Sequence, residues 1–336
     1  MKRPYLLPAV LLVLAVAAGV FWGQVGLFPL NEDSRAILWN FRLPRVAFAA
    51  INGAMLALAG VLYQIALRNP LADGFTTGAA SSAALGGCLA LIAWGPGAMV
   101  PLCAILCAAL GISLVRRVSG LSGAGEKDGA PGGLMGGLAG GAGGSGITVI
   151  LAGIALSVVA GAGISFLKYF FEESIGAMVF WLMGGLGGAT WTKAAVLLAV
   201  LLPAFIALWL HKNRLALLFL DDHSAATSGA DVQRLRELLF MLTTVLVALS
   251  VSFCGVIGFL GLMIPHAARG LLGHNITAQL AGAPLLGAAA LTLFDLLART
   301  ALPHGGELPV GIVTSLAGGV FFFILILRKG NTVWGR

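Results

Sequence analysis

RLPRVAFAAINGAMLALAGVLYQIALRNPLAD, residues 42–73, carries no charged residue between Arg45 and Arg68. A bilayer core of about 30 Å is crossed by roughly 20 helical residues, so this apolar run is long enough to span it. Pro44 suits the first turn of the helix, where its missing N–H costs nothing. Asn69-Pro70 ends it, because proline disfavours helical geometry in the residue before it. Gly53 and Gly60, seven residues apart, fall on nearly the same face and invite another backbone to approach closely. Gly78 to Ala84, all Gly, Ala or Ser, continue that small-residue theme.

The rest of the chain repeats the pattern. Of its 336 residues 59% are apolar and 10% charged, and the mean hydropathy is +0.99. That is too little polar surface to clothe a soluble globule of this length, so the chain is an integral membrane protein. Ten apolar stretches follow one another near residues 4–28, 44–66, 74–94, 97–115, 146–169, 194–211, 237–254, 256–271, 277–301 and 309–327. The runs are continuous rather than alternating, which argues for helices over a membrane barrel. The expected fold class is therefore all-α, one transmembrane domain over residues 1–336 with about ten spans. Lys2 and Arg3 precede the first run, which exceeds the h-region of a signal peptide and is read as an uncleaved span.

Basic residues set the orientation. With the N-terminus cytoplasmic, the inner side holds Lys2, Arg3, Arg68, Arg116, Arg117, Lys127, Lys212, Arg214, Arg234, Arg236, Arg269, Arg328, Lys329 and Arg336. The outer side keeps Arg35, Arg42, Arg45, Lys168, Lys193 and Arg299, a division of 14 to 6 of the 20 basic residues that follows the positive-inside rule. Both termini are then cytoplasmic. The net charge of +7 reads as topology and contact with anionic lipid, not as a nucleic-acid footprint.

Several segments interrupt the spans. Residues 211–236, HKNRLALLFLDDHSAATSGADVQRLR, form a polar island on the cytoplasmic side where a soluble partner could grip. Residues 119–145 are too glycine-rich to hold a helix and read as a cytoplasmic linker. They contain no GxxxxGK[ST], so nucleotide binding by this chain is not expected. Between 175 and 187 the apolar part is too short to cross. A short helix dipping in from the outer surface fits, with an ordinary amphipathic loop helix as the alternative. Leu238 to Pro265 is long for one crossing and short for two, which predicts a full span followed by a short, broken one at Gly255, Gly258 and Gly261. Asp295 and Arg299 stand at i, i+4 and can pair. Glu307 is well placed at the start of the last helix. Cys88, Cys103, Cys107 and Cys254 lie inside apolar runs with no acid or histidine at ligand spacing, and read as small buried hydrophobes.

The segments RLPRVAFAAINGAMLALAGVLYQIALRNPLAD, LAGIALS, VFWLMGGLGGATW, GVIGFLGLMIPHAARGLLG and DLLARTALPHGGELPVGIVTSLAGGVFFFILIL resemble, in order and spacing, the membrane subunit of ABC importers for ferric siderophores, haem and cobalamin. Gly74-Phe75 replaces the proline usual after NPLAD, and Gly318-Gly319-Val320-Phe321 stands for a GAPFF-like turn. The resemblance implies a homodimer of ten-span subunits, two cytoplasmic ATPase subunits that hold ATP and Mg, an external substrate-binding protein, and no cofactor or metal on this chain. Within the segment 215–232, Leu220, Asp221, Asp222, Ser224, Ala225, Ala226, Gly229 and Val232 match the ATPase-coupling element, with Ser228 where leucine is usual. Arg42, Arg45 and Arg299 match outward positions that could dock acidic residues of the binding protein. Gly53, Gly60, Asn69, Pro70, Gly258, Gly261, Pro265, His266, Arg269, Glu307, Pro309 and Gly311 match packing and gating positions.

Other classes fit less well. A proton- or sodium-coupled secondary transporter wants buried carboxylates near the midplane, and only Asp295 is a candidate. An intramembrane enzyme could use His266 with Arg269 or Asp295, yet no nucleophile pairs with them, and His266 after Pro265 reads as a helix-end residue. Among metal chelates, ferric siderophore is the first expectation, with cobalamin and haem beside it.

Overall fold

The computed structural model describes residues 5–23, 31–119, 144–219, 232–302 and 306–329. Nearly all of the glycine-rich stretch 119–145, and the coupling positions Leu220, Asp221, Asp222, Ser224, Ala225, Ala226 and Gly229, lie outside the described residues. Among the described residues there is no strand.

The helices are α1 (Leu6–Phe21), α2 (Glu32–Ile37), α3 (Leu43–Ala66), α4 (Ala79–Trp94), α5 (Met99–Val118), α6 (Gly144–Phe170), α7 (Ile175–Leu182), α8 (Trp191–Leu210), α9 (Lys212–Ala216), α10 (Val232–Cys254), α11 (Leu260–Leu272), α12 (Ile276–Thr300) and α13 (Val310–Lys329). Among the described residues, seven helical stretches are long and apolar enough to cross a membrane: α3 with its lead-in, α5, α6, α8, α10, α12 and α13. The shorter apolar helices α1 and α4 and the 13-residue α11 bring the apolar helices to ten, in the expected order. α7, too short to cross, occupies the place of the expected outer helix.

α3 is the axis of the bundle. In its span window 78% of residues are buried, against 22% in α6 and α13, which places the latter two at the periphery. α12, α10, α11 and α8 pack around α3. Lipid tails are as apolar as leucine, so helices in a membrane associate through close packing rather than hydrophobic exclusion. The glycines of α3 permit that packing. A Cβ at Gly53 would collide with the Gly287 carbonyl of α12, and one at Gly60 with the Gly261 carbonyl of α11. The second contact has a local cause. Pro265 lacks the N–H that would bond the carbonyl four residues back, which is that of Gly261. This carbonyl turns toward Gly60 instead.

Three boundaries differ from expectation for stated reasons. α4 begins at Ala79 rather than near 74, because the Asp73 carboxylate accepts from Phe75 N–H at 3.0 Å and Thr76 N–H at 2.8 Å. Such an Asx turn competes with the helix, and Gly78 at φ +81° closes it. α11 begins at Leu260 rather than 256, after Gly255 and Phe259 at φ +69° and +63°. α2 and a wide π-turn at Leu38–Arg42 run directly into α3. Leu43 N–H bonds to Leu38 O there, the i to i+5 pattern, immediately before Pro44.

Polar side chains inside the bundle bond both across helices and along them. Asn52 Nδ2 donates to Cys254 Sγ at 3.1 Å, and Tyr63 Oη meets Thr244 Oγ1 at 3.2 Å. Thr244 Oγ1 also bonds Phe240 O, one turn back on its own helix, at 2.8 Å.

Candidate functional site

Four irregular segments converge: 67–78 between α3 and α4, the turn 183–190 after α7, the break 255–259 before α11, and the lead into α13 at 306–310. Non-helical backbone at membrane depth is tolerated where it is buried in protein or lines a cavity, and both conditions hold. Gly185 N–H donates to Cys254 O at 2.8 Å, and Gly311 N–H reaches Gly184 O at 3.4 Å. Side chains cannot enter this crossing. A Cβ at Gly184 would strike Val256 O, at Gly255 Trp181 O, and at Gly311 Met183 O. Gly184 and Gly255 also take left-handed backbone, φ +70° and +69°, which glycine adopts without steric cost.

The crossing separates two cavities. One, of about 630 Å³, is lined by Asp73, Phe75 and Thr76 from the first irregular segment, by Met183, by Val256, Gly258 and Phe259, and by Gly311, Ile312 and Ser315. The other, of about 490 Å³, is lined by Phe180, Trp181, Gly184 to Gly188, Cys254, Pro309 and, at its charged end, Arg45 and Glu307. Along each of three of these segments nearby residues face different cavities: Met183 and Gly184, Val256 and Cys254, Gly311 and Val310. Three glycine-packed backbones thus form a thin partition. Apart from Asp73 and the hydroxyls of Thr76 and Ser315, the side chains that line the first cavity are apolar. Such a wall offers a bulky solute contact without a tight polar trap.

At the Arg45 end, charges are paired inside the chain. Arg45 Nη2 lies 2.8 Å from Asp295 Oδ1 and its Nε donates to the same carboxylate at 2.9 and 3.1 Å. Arg45 Nη1 donates to both oxygens of Glu307 at 2.9 Å. Arg299 Nε stands 3.7 Å from Asp295 Oδ2, the i, i+4 pair expected from sequence, and Arg299 Nη2 donates to Gly19 O. Arg42 Nη1 donates to Val20 O at 3.1 Å. The last two bonds fall on carbonyls in the last turn of α1, where helix carbonyls lack partners and the dipole favours cations. Arg42 and Arg299 are buried, at 6% and 8% exposure. The arginines expected to face a docking protein thus join α1, α3, α12 and the lead into α13. Glu307, 47% exposed, is the open member of the cluster.

The other singled-out residues lie on α3, α10 and α11 and in the irregular segments beside them. Gly258 sits on the larger cavity beside Ser315 and Phe75. His266 Nδ1 bonds Leu262 O at 2.9 Å, and its ring packs edge-on against Phe322. Arg269 Nη1 donates to Gln64 Oε1 at 2.6 Å, tying α11 to the end of α3. Asn69 Oδ1 accepts from Leu71 N–H at 2.8 Å and shapes the turn around Pro70. Val232 starts α10. Sequence reasoning passed over Asp73 and Phe259 as cavity residues. The D-x-x-T spacing of Asp73 and Thr76 is a readable turn signal. Nothing in the sequence marks Phe259 as left-handed.

A bundle of about ten apolar helices, with its irregular segments gathered at a glycine partition between two cavities, is the architecture of a polytopic membrane permease. The FecCD transport family model matches residues 6–129 and 132–328. The haemin transport permease HmuU of Yersinia pestis is 35% identical over 97% of both chains. The vitamin B12 import permease BtuC of Klebsiella pneumoniae is 32% identical over 96% of this chain and 92% of its own. The solved structure of an ABC transporter provisionally assigned to the metal-chelate type, in an inward-facing conformation, aligns with a TM-score of 0.84 and 30% identity over 98% of this chain and all of its own. The chain belongs to the FecCD transport family and is a permease component of an ABC transporter.

Proposed function

We propose that this chain is the membrane subunit of an ATP-driven importer for a metal chelate, with ferric siderophore the first candidate cargo and haem and cobalamin the next. Two copies form the pore in the cytoplasmic membrane with both termini inside. Two ATPase subunits hold ATP and Mg and grip residues 215–232, and an external binding protein delivers cargo to the end that carries Arg42, Arg45, Arg299 and Glu307. Docking there would use Glu307 directly, and the arginines by exchanging their present partners. The orientation rests on the basic-residue bias, 14 against 6. The observation that carries the reading is the apolar cavity of about 630 Å³ against a glycine partition, a wall suited to passing a bulky solute.

The test is uptake into proteoliposomes that contain this chain and its ATPase, with the cognate binding protein outside and labelled ferric siderophore, haem and cobalamin offered in turn. ATP-dependent accumulation of one chelate is expected. Accumulation that needs no ATPase and follows a proton or sodium gradient would instead establish the ion-coupled alternative.

A further inference from the structure

We infer that Arg68 is the positioning residue that carries movement of the cytoplasmic segment to the wall of the larger cavity. This deepens, and rests on, the reading of residues 215–232 as the ATPase-coupling element.

Arg68 and Phe259 are the non-glycine residues with positive φ among the described residues, at +47° and +63°. Left-handed backbone is strained for any residue with a Cβ, and it persists where the surroundings hold it. Phe259 lines the larger cavity, and Arg68 stands five residues before Asp73 in the segment that supplies Asp73, Phe75 and Thr76 to it. One strained residue thus stands at the root of each of two wall segments.

Arg68 also reaches out of its own segment. Its exposed side chain donates from Nε to the carbonyl of Leu218 at 3.3 Å. Leu218 is itself buried, 1% exposed, in the 3-10 turn Leu217–Phe219 that leads directly into residue 220. A shift of the chain beyond 219 therefore pulls on a carbonyl to which the guanidinium is bound.

From Arg68 onward the path is stiff. Asn69 N–H bonds Gln64 O, Ala72 N–H bonds Asn69 O, and Thr77 N–H bonds Asp73 O, at 3.1–3.2 Å. The Asn69 and Asp73 side chains cap the intervening N–H groups. Ser157 Oγ of α6 donates to Phe75 O at 2.9 Å. A segment with its backbone groups bonded in this way moves as a body rather than absorbing displacement. Its far end is Phe75, whose ring lies near Gly258 across the cavity.

The experiment uses the full transporter in proteoliposomes: this chain, its ATPase and its binding protein. Arg68→Met removes the donor and keeps the stem, Arg68→Gly also releases the left-handed strain, and Arg68→Lys restores a cationic donor. The ATPase should stay associated and hydrolyse ATP at the basal rate in all three. Cargo moved per ATP should fall about threefold to tenfold in Arg68→Met and Arg68→Gly, the size of one hydrogen bond's net contribution, and recover partly in Arg68→Lys. A residue that served only to stabilise the fold would lower association and transport together, and Arg68→Gly would then be the milder variant. That pattern, or an unchanged cargo-to-ATP ratio, overturns the proposal. Replacement of residues 220–229 by a Gly/Ser linker, run in parallel, separates the two readings. If the linker chain still binds its ATPase, the coupling reading and the Arg68 role fall together. If it loses the ATPase while Arg68→Met keeps full coupling, the Arg68 role falls alone.

Discussion

Arg45→Met tests whether the charge cluster around Arg45, Asp295 and Glu307 is a structural clamp. Arg45 holds two acids of different standing: Asp295, 1% exposed, and Glu307, 47% exposed. Loss of the guanidinium strands the Asp295 carboxylate in the bundle with Arg299 at 3.7 Å as its nearest remaining cation. Removal of one partner of a buried pair costs about 3–5 kcal/mol, and the residual Arg299 contact puts the expected loss near the lower end. Glu307→Gln breaks only the solvated arm, worth about 0–1 kcal/mol. The double variant Arg45→Met/Asp295→Leu removes both buried charges. It should recover most of the Arg45→Met loss, because an apolar replacement of a buried pair is often neutral. Unfolding of the purified chain in detergent, followed by helicity during titration with a denaturing surfactant, reads all three. The expected order of destabilisation is Arg45→Met well above Arg45→Met/Asp295→Leu, with Glu307→Gln close to the parent. Equal losses for Arg45→Met and Glu307→Gln, or no recovery in the double variant, would refute the clamp. The readout is independent of any docking partner.

Gly60→Ala places a Cβ against the Gly261 backbone and should destabilise by about 1–3 kcal/mol through overpacking, whereas Gly161→Ala, with nothing within 4 Å, should be neutral or stabilise by up to about 1 kcal/mol. The same surfactant titration compares them, and equal effects would show that backbone approach at Gly60 does not matter. Ser315→Trp fills part of the 630 Å³ cavity and should stop cargo uptake while the chain still assembles with its ATPase; normal uptake would take that cavity off the path. Deletion of most of residues 119–145 should leave uptake largely intact, and a dead transporter would give that stretch a role beyond a linker.

Much of the fold is legible in the sequence because the constraint is local. Every backbone polar group in a bilayer must be satisfied within its own segment or a closed barrel, so continuous apolar runs separated by Asn-Pro, glycine clusters and charges predict helices one at a time. Among the described residues, the seven helices long enough to cross, the short element before α8 and the broken α10–α11 pair all follow from runs that can be read without knowing their neighbours. The glycines Gly53 and Gly60 were visible as small-residue positions for the same reason.

Tertiary structure decided what faces what. Arg45 and Asp295 are 250 residues apart in the chain, and no local pattern joins them. Read alone, Arg42, Arg45 and Arg299 are outer charges in search of a partner. In the fold, α3 and α12 lie side by side under the end of α1, and the arginines meet Asp295, Glu307 and the α1 carbonyls. The glycines at 184, 255 and 311 likewise signal only interrupted helices, each in its own place. That the interruptions meet and divide two cavities depends on helix packing, because glycine carries no side chain to specify its neighbour and the approach of one backbone to another is set by the surrounding helices.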